Sequence, residues 1–200
     1  MTESKVYLRE CPSGVLVAAS LFDEVAPAHL AMWNDQWLPV MQAHCAGRTL
    51  GKRPEDSHWD WKRKSQAVAG MLGYHSFALV CRQELHGLMM TNDMLAARLP
   101  EQFGKPLVYV EFVATAPWNR PELQPQPRYR GVGNVLLLAA IESSRQAGFK
   151  GRLGLHSLPK AEVFYEQRCR MTRLGSDSSH QNLTYFEMTE QQAEAFRHNH

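Results

Sequence analysis

The stretch from Glu111 to Arg145 constrains the fold most. It opens within an apolar run, Leu107 to Ala114, that is apolar at successive as well as alternate positions. That is the pattern of a strand covered on both faces. Glu111 is the one charge in the run. Pro117, Pro121, Pro125 and Pro127 then interrupt a spacer that should be stiff and extended rather than helical. Arg128, Tyr129, Arg130, Gly131, Val132, Gly133 and Asn134 follow, and a helix is predicted from about Val132 to Ala147, with Gly148 as its C-cap. A glycine loop opening a helix is a ready anion site. The first N–H groups have no helical acceptor, and the helix dipole is positive at that end.

The flanking chain reads as strands and helices that do not alternate regularly. Val6 to Glu10 and Val15 to Ala19 predict a hairpin turned by Cys11, Pro12, Ser13 and Gly14. From Pro27 a helix is predicted, with Leu30, Trp33 and Trp37 on one face and a kink or stop at Pro39. Gly47 to Pro54 is a basic linker, and a second helix is expected to start at Pro54, acids first and bases after. His58, Trp59, Asp60 and Trp61 are read as a helix anchor, with an acceptor-binding wall as the sharper alternative. Strands follow at His75 to Cys81 and Gly87 to Thr91, then a short helical turn at Leu95 to Leu99. Beyond the central helix come a strand to His156, a helix from Pro159 to Cys169, strands at Met171 to Gly175 and Leu183 to Met188, and a short terminal helix from Glu190. This order predicts an α+β fold: a mixed, mostly antiparallel sheet with helices on both faces.

Composition limits the function classes. The 200 residues carry a net charge of +2, too little for a dedicated nucleic-acid binder. Lys52, Arg53, Lys62, Arg63 and Lys64 read as solvated positions rather than a phosphate-binding patch. The four cysteines, Cys11, Cys45, Cys81 and Cys169, form no C-x-x-C pair, so neither a zinc knuckle nor a redox motif is indicated, and a reducing cytoplasm is expected. No apolar run approaches the length of a membrane span. His198 and His200 are too few and too terminal to argue for a metal.

The anion loop itself can be narrowed by exclusion. A dinucleotide fingerprint would need glycine at position 136, which is Leu136, and a Walker loop would need Gly-Lys-Ser/Thr, which is absent. What remains is Arg128-x-x-Gly131-x-Gly133. This resembles the R/Q-x-x-G-x-G/A segment of the GNAT acetyltransferases, which cradles the pyrophosphate of acetyl-CoA. A second match lies downstream, where Ala161 to Glu166 resembles the family's A-x-x-x-Y-E segment with Tyr165 at the tyrosine. The resemblance is specific from about Leu107 to Met188 and architectural before that. It departs where the family often has Asn, here Leu158, and at Cys169, Arg170 and Met171, where the helix is one residue longer before the next strand. The spacer before Arg128 is also longer than usual.

The resemblance implies a single domain over residues 1–200. Residues 1–106 would supply N-terminal strands and acceptor-side helices, and 107–188 the cofactor-binding core. It implies acetyl-CoA as acyl donor, a primary amine as acceptor, and no metal. Val113, Ala114 and Thr115 would pair with pantetheine. Arg128, Tyr129, Arg130, Gly131, Val132, Gly133 and Asn134 would hold the pyrophosphate. Tyr165 would protonate the leaving thiolate, and Glu111 is the candidate base, with Tyr109 and His156 as weaker alternatives. A non-catalytic CoA-binding regulator on the same fold stays open, as does homodimer formation.

Overall fold

The computed structural model describes residues 1–199, apart from the side chain of Leu50; His200 lies outside the described residues. In chain order the elements are β1 (Glu3–Glu10), β2 (Leu16–Phe22), α1 (Pro27–Met32), α2 (Leu38–Cys45), α3 (Trp61–Val68), β3 (Tyr74–Cys81), β4 (Glu84–Ala96), β5 (Pro106–Thr115), β6 (Tyr129–Arg130), α4 (Val132–Gln146), β7 (Leu153–Ser157), β8 (Thr172–Asp177), β9 (Leu183–Met188) and α5 (Glu190–His198). The fold is mixed α+β. Strand pairs β1/β2, β1/β6, β2/β3, β7/β9 and β8/β9 are antiparallel, and β5/β7 is parallel.

The chain divides into two compact units. The first comprises Met1–Met89 and Val113–Leu136, the second Met90–Phe112 and the chain from Leu137 on. In the first, strands follow the order β6-β1-β2-β3-β4. The β3–β4 hairpin turns at Arg82 and Gln83, both at positive φ (47° and 62°). This is the primed two-residue turn that matches strand twist, made here without its usual glycine or asparagine.

Pro39 does not stop its helix. Residues Trp33–Trp37 form a π turn between α1 and α2, in which the Leu38 N–H donates to the Trp33 carbonyl. The wider turn absorbs a residue that lacks an N–H and crowds the preceding carbonyl. His29, Trp33, Trp37 and Met41 are buried at successive four-residue intervals, whereas Leu30 is only half-buried, and the Trp37 indole donates to the Leu85 carbonyl at 2.7 Å. The tryptophan stripe is therefore packing. The second helix begins at Trp61, seven residues later than expected, because the Asp60 carboxylate caps it by accepting from the Arg63 N–H. His58 is exposed and Trp61 buried.

In the second unit the order is β4-β5-β7-β9-β8. The expected helical turn at Leu95 to Leu99 is absent. β4 runs on to Ala96, and the turn is a 3-10 turn at Pro100–Gln102. It is fixed by Glu187, a fully buried carboxylate of β9 that accepts from the Arg98 and Leu99 N–H groups, Gln102 Nε2 and the Tyr185 hydroxyl at 2.7–3.0 Å. Four donors are what a buried carboxylate needs to offset its lost hydration. Leu137 and Ile141 of α4 are at most 1% exposed. Each fully buried aliphatic side chain of this size contributes about 1.5–3 kcal/mol. The helix ends as expected at Gly148 (φ +79°), with the Phe149 N–H returning to the Ser144 carbonyl.

Candidate active site

The first unit holds a cleft of about 320 Å³ around the glycine loop. Thr115, Tyr129, Arg130, Gly131, Val132 and Gly133 line it, together with Asn119, Pro121, Pro125 and Pro127. The proline segment thus borders the loop, but it is not extended. Pro117–Asn119 form a 3-10 turn and 121–123 a further turn, with Trp118 and Leu123 buried. Buried apolar side chains every few residues draw the segment inward, which proline stiffness alone does not predict.

Gly131 sits at φ +92°, a conformation that glycine adopts without a Cβ penalty. The first helical bond of α4 runs from the Val135 N–H to the Gly131 carbonyl. The N–H groups of Val132, Gly133 and Asn134 therefore precede any intrahelical acceptor. A buried chain of hydrogen bonds fixes the loop. Trp118 Nε1 and Asn119 Nδ2 both donate to Nδ1 of His86, at 3.2 and 3.0 Å, and Asn119 Oδ1 accepts from the Tyr129 N–H. Two donors on Nδ1 put the His86 proton on Nε2. Burial holds this imidazole down to about pKa 4, against a weaker pull upward from Glu84. His86 also packs edge-on against the Tyr129 ring. Gly87, next to it on β4, has no room for a side chain: a Cβ would stand 2.9 Å from Leu136 and 3.1 Å from Val132.

The remaining predicted residues of this unit are placed differently. Arg128 is exposed, but its guanidinium bonds both Glu84 carboxylate oxygens at 2.7 and 2.8 Å and stacks over Trp118. Arg130 is exposed at the cleft. Val113 and Ala114, on β5 just before Thr115, and Asn134, in the first turn of α4, lie outside the cleft lining.

The second unit holds Tyr165 and Glu111. Tyr165 lies on a π turn, Phe164–Arg168, where the Cys169 N–H donates to the Phe164 carbonyl. The wider turn accommodates the extra residue noted in the sequence, and Arg170 closes it at φ +57°. Tyr165 is buried, with its ring against Phe164 and Phe186, and burial raises its phenol above the usual range. Burial also pushes the nearby Cys169 thiol up to about 12. Glu111 is half-buried and accepts from Asn92 Nδ2 at 3.3 Å. The β5/β7 ladder runs from Val108↔Leu153 to Val110↔Leu155, so Glu111 and His156 lie just past its end.

Beside Glu111 is a constellation that sequence reasoning did not assemble. Tyr109 and His156 bond at 2.6 Å, and His156 Nε2 lies 3.0 Å from Asp177 Oδ2. Asp177 is also bound by Arg98 at 2.6 Å and by the Ser179 hydroxyl and N–H. The four residues come from chain segments up to 79 positions apart. The one local signal, a histidine in an apolar strand, does not identify its partners.

No protein-family profile matches the chain, and no curated protein does. Solved structures do. FeeM, an N-acyl amino acid synthase from uncultured soil microbes, matches 88% of this chain and 94% of its own at 13% identity, with a TM-score of 0.57. A protein from Desulfovibrio desulfuricans assigned to the GNAT family of acetyltransferases matches 86% and 99% at 14% identity and a TM-score of 0.53. The PaiA N-acetyltransferase from Thermoplasma acidophilum, solved with coenzyme A, matches 86% and 98% at 12% identity and a TM-score of 0.53. Among the described residues no helix is long and apolar enough to cross a membrane. The chain has the fold of the GNAT acetyltransferases.

Proposed function

We propose that the protein is an acetyl-CoA-dependent N-acetyltransferase that moves an acetyl group directly to a primary amine, and that it works in the cytoplasm. The observation that carries this reading is the glycine-loop cleft, where Gly131 at φ +92° opens α4. The unengaged N–H groups of Val132, Gly133 and Asn134 suit a pyrophosphate, and the helix dipole and the exposed Arg130 add positive potential. Tyr129 supports the loop from its buried position on His86, and Arg128 braces it through Glu84. Backbone groups of Val113, Ala114 and Thr115 are assigned to pantetheine.

Tyr165 is assigned as the proton donor to the departing thiolate, from its place in the Ala161 to Glu166 segment and because its neutral phenol carries a proton to give. Glu111 is assigned to the acceptor amine, as base or through a water. The fold likeness supports acyl transfer in general terms, and PaiA was solved with coenzyme A.

The test is thiol release from acetyl-CoA across a panel of primary amines, with mass spectrometry of the products. Tyr165→Phe should lower kcat by about 10²-fold while leaving CoA affinity unchanged. CoA binding without turnover on any amine would instead identify a non-catalytic CoA-binding regulator.

A further inference from the structure

Within the second unit, Tyr109, His156 and Asp177 form one hydrogen-bonded chain with a determinate direction. Asp177 accepts from Ser179, Arg98 and His156, and these bonds hold its carboxyl well below the ordinary carboxylate range. An ionised carboxylate only accepts. His156 must therefore donate from Nε2, which leaves Nδ1 as the acceptor for the Tyr109 hydroxyl. The arrangement is that of an oriented acid–base triad: a hydroxyl on an imidazole nitrogen, whose other nitrogen is held by a fixed anion.

The surroundings suit proton transfer. His156 is 3% exposed at its side chain and, chiefly through burial, is held below the usual histidine range, so it is neutral and able to accept at pH 7. The His180 ring stacks parallel on it at 3.9 Å, and Tyr185 packs against it at 4.9 Å. His180 is partly exposed and lies 3.3 Å from the same Asp177 oxygen, which gives the far end of the chain an outlet to solvent. Tyr109 and Glu111 are two residues apart on β5, so their side chains share a face of the strand. The donor atoms of His156, Asp177 and His180 lie within 4.8 Å of one another, but Arg98 already bonds the carboxylate oxygen that both imidazoles approach. A guanidinium in direct contact opposes a second cation there.

We propose that Tyr109, His156 and Asp177 are a proton relay that drains the proton of the acceptor ammonium from the Glu111 side of β5. The inference rests on the acetyltransferase reading. The amine N–H bond breaks and its electron pair stays on nitrogen, free to attack the thioester carbon. The proton reaches the Tyr109 oxygen, by way of Glu111 or a water, as the Tyr109 proton passes to His156 Nδ1. The resulting imidazolium is held against the Asp177 carboxylate. These three are positioning residues, acting through the group that touches the amine. The charged and titratable groups around His156 are Tyr109 and Glu111 from β5, Arg98 from the loop after β4, Asp177 and His180 at the end of β8, and Tyr185 from β9.

Two measurements on the full chain test the relay. In ¹⁵N-histidine NMR, His156 (identified by loss of its signal in His156→Gln) should be the Nε2–H tautomer at pH 7. Its titration midpoint should rise in Tyr109→Phe, which removes a donor to the neutral ring, and fall in Asp177→Asn, which removes the anion. In acetyl transfer to the best amine of the panel, Tyr109→Phe and His156→Gln should lower kcat/KM by about 10²-fold at pH 7. The acidic limb of the profile should follow the NMR midpoint, and CoA affinity by calorimetry should stay unchanged as the control for folding. A profile and rate like the wild type in both variants, with Tyr165→Phe inactive, would overturn the relay and leave the acetyltransferase reading standing. Transfer to no amine by the wild type would overturn both. Stoichiometric zinc binding abolished by His156→Gln would replace the relay with a metal site.

Discussion

The Arg120 guanidinium meets both carboxylate oxygens of Asp56 at 2.7 Å, joining the proline-rich segment to the turn before α3. Both side chains are nearly buried, and Arg120 Nε also donates to the Thr115 carbonyl at 2.7 Å. Asp56→Ala should leave a buried guanidinium with one acceptor and cost about 3 kcal/mol. The urea midpoint should fall with an unchanged slope. The double variant Asp56→Ala, Arg120→Met should lose less than Asp56→Ala alone, because no charge is then stranded.

Gly131 tests the cleft. A Cβ there would meet nothing within 4 Å, so a substitution acts through backbone conformation alone. Gly131→Ala should cost about 1–2 kcal/mol if the loop keeps φ +92°, or release that strain by moving the loop. CoA affinity measured by calorimetry should drop by about 10-fold, since that strain corresponds to roughly one factor of ten. Gly131→Asn, which tolerates positive φ better, should lose less.

His86 predicts an acid limb in stability. Its folded value is about 4, against 6.5 for the free side chain. Between those values the unfolded chain takes up a proton that the folded chain refuses, so unfolding gains as pH falls. The stability is fully present above pH 6.5, declines toward pH 4 and then levels, by roughly 3 kcal/mol in total. His29 and His156 are shifted in the same direction and add to the trend. Urea midpoints from pH 7.5 to 4 should show this slope, and His86→Gln should flatten it.

Glu187→Gln asks whether the buried carboxylate is needed as an acceptor with two equivalent oxygens. Glu187 Oε2 accepts from the Arg98 N–H and the Tyr185 hydroxyl, and Oε1 from the Leu99 N–H and Gln102. An amide in its place turns an NH₂ toward at least one of those donors. The expected loss is about 2–3 kcal/mol in denaturant unfolding. Hydrogen exchange at Arg98 or Leu99, whichever N–H then faces the amide NH₂, should accelerate more than exchange in β1 and β2, because that N–H loses its acceptor directly.

Much of the architecture was readable along the chain because it depends on local rules. Glycine at a helix end and apolar runs in strands each act within a turn or a few residues, and these elements appear where expected. Local propensity misplaces Pro39 and the proline segment, where a π turn and the buried Trp118 and Leu123 decide the path. The start of α3 is set locally, by the Asp60 cap on the Arg63 N–H.

The sequence by itself determined the strand–glycine loop–helix unit, since a glycine at positive φ and the free N–H groups of a helix start are local properties, whereas the bonds through His86 and Asn119 that fix the loop came only with packing. It also marks Glu111 as a charge in an apolar strand, and Glu187 of β9 is another. Only the tertiary structure decided which polar groups meet. Tyr109, His156, Asp177 and Arg98 come from four separated segments, as do Asp56 with Arg120 and His86 with Asn119. Each pairing satisfies groups that burial has cut off from water. That requirement exists only once the chain has packed, so it leaves no periodic trace in the sequence.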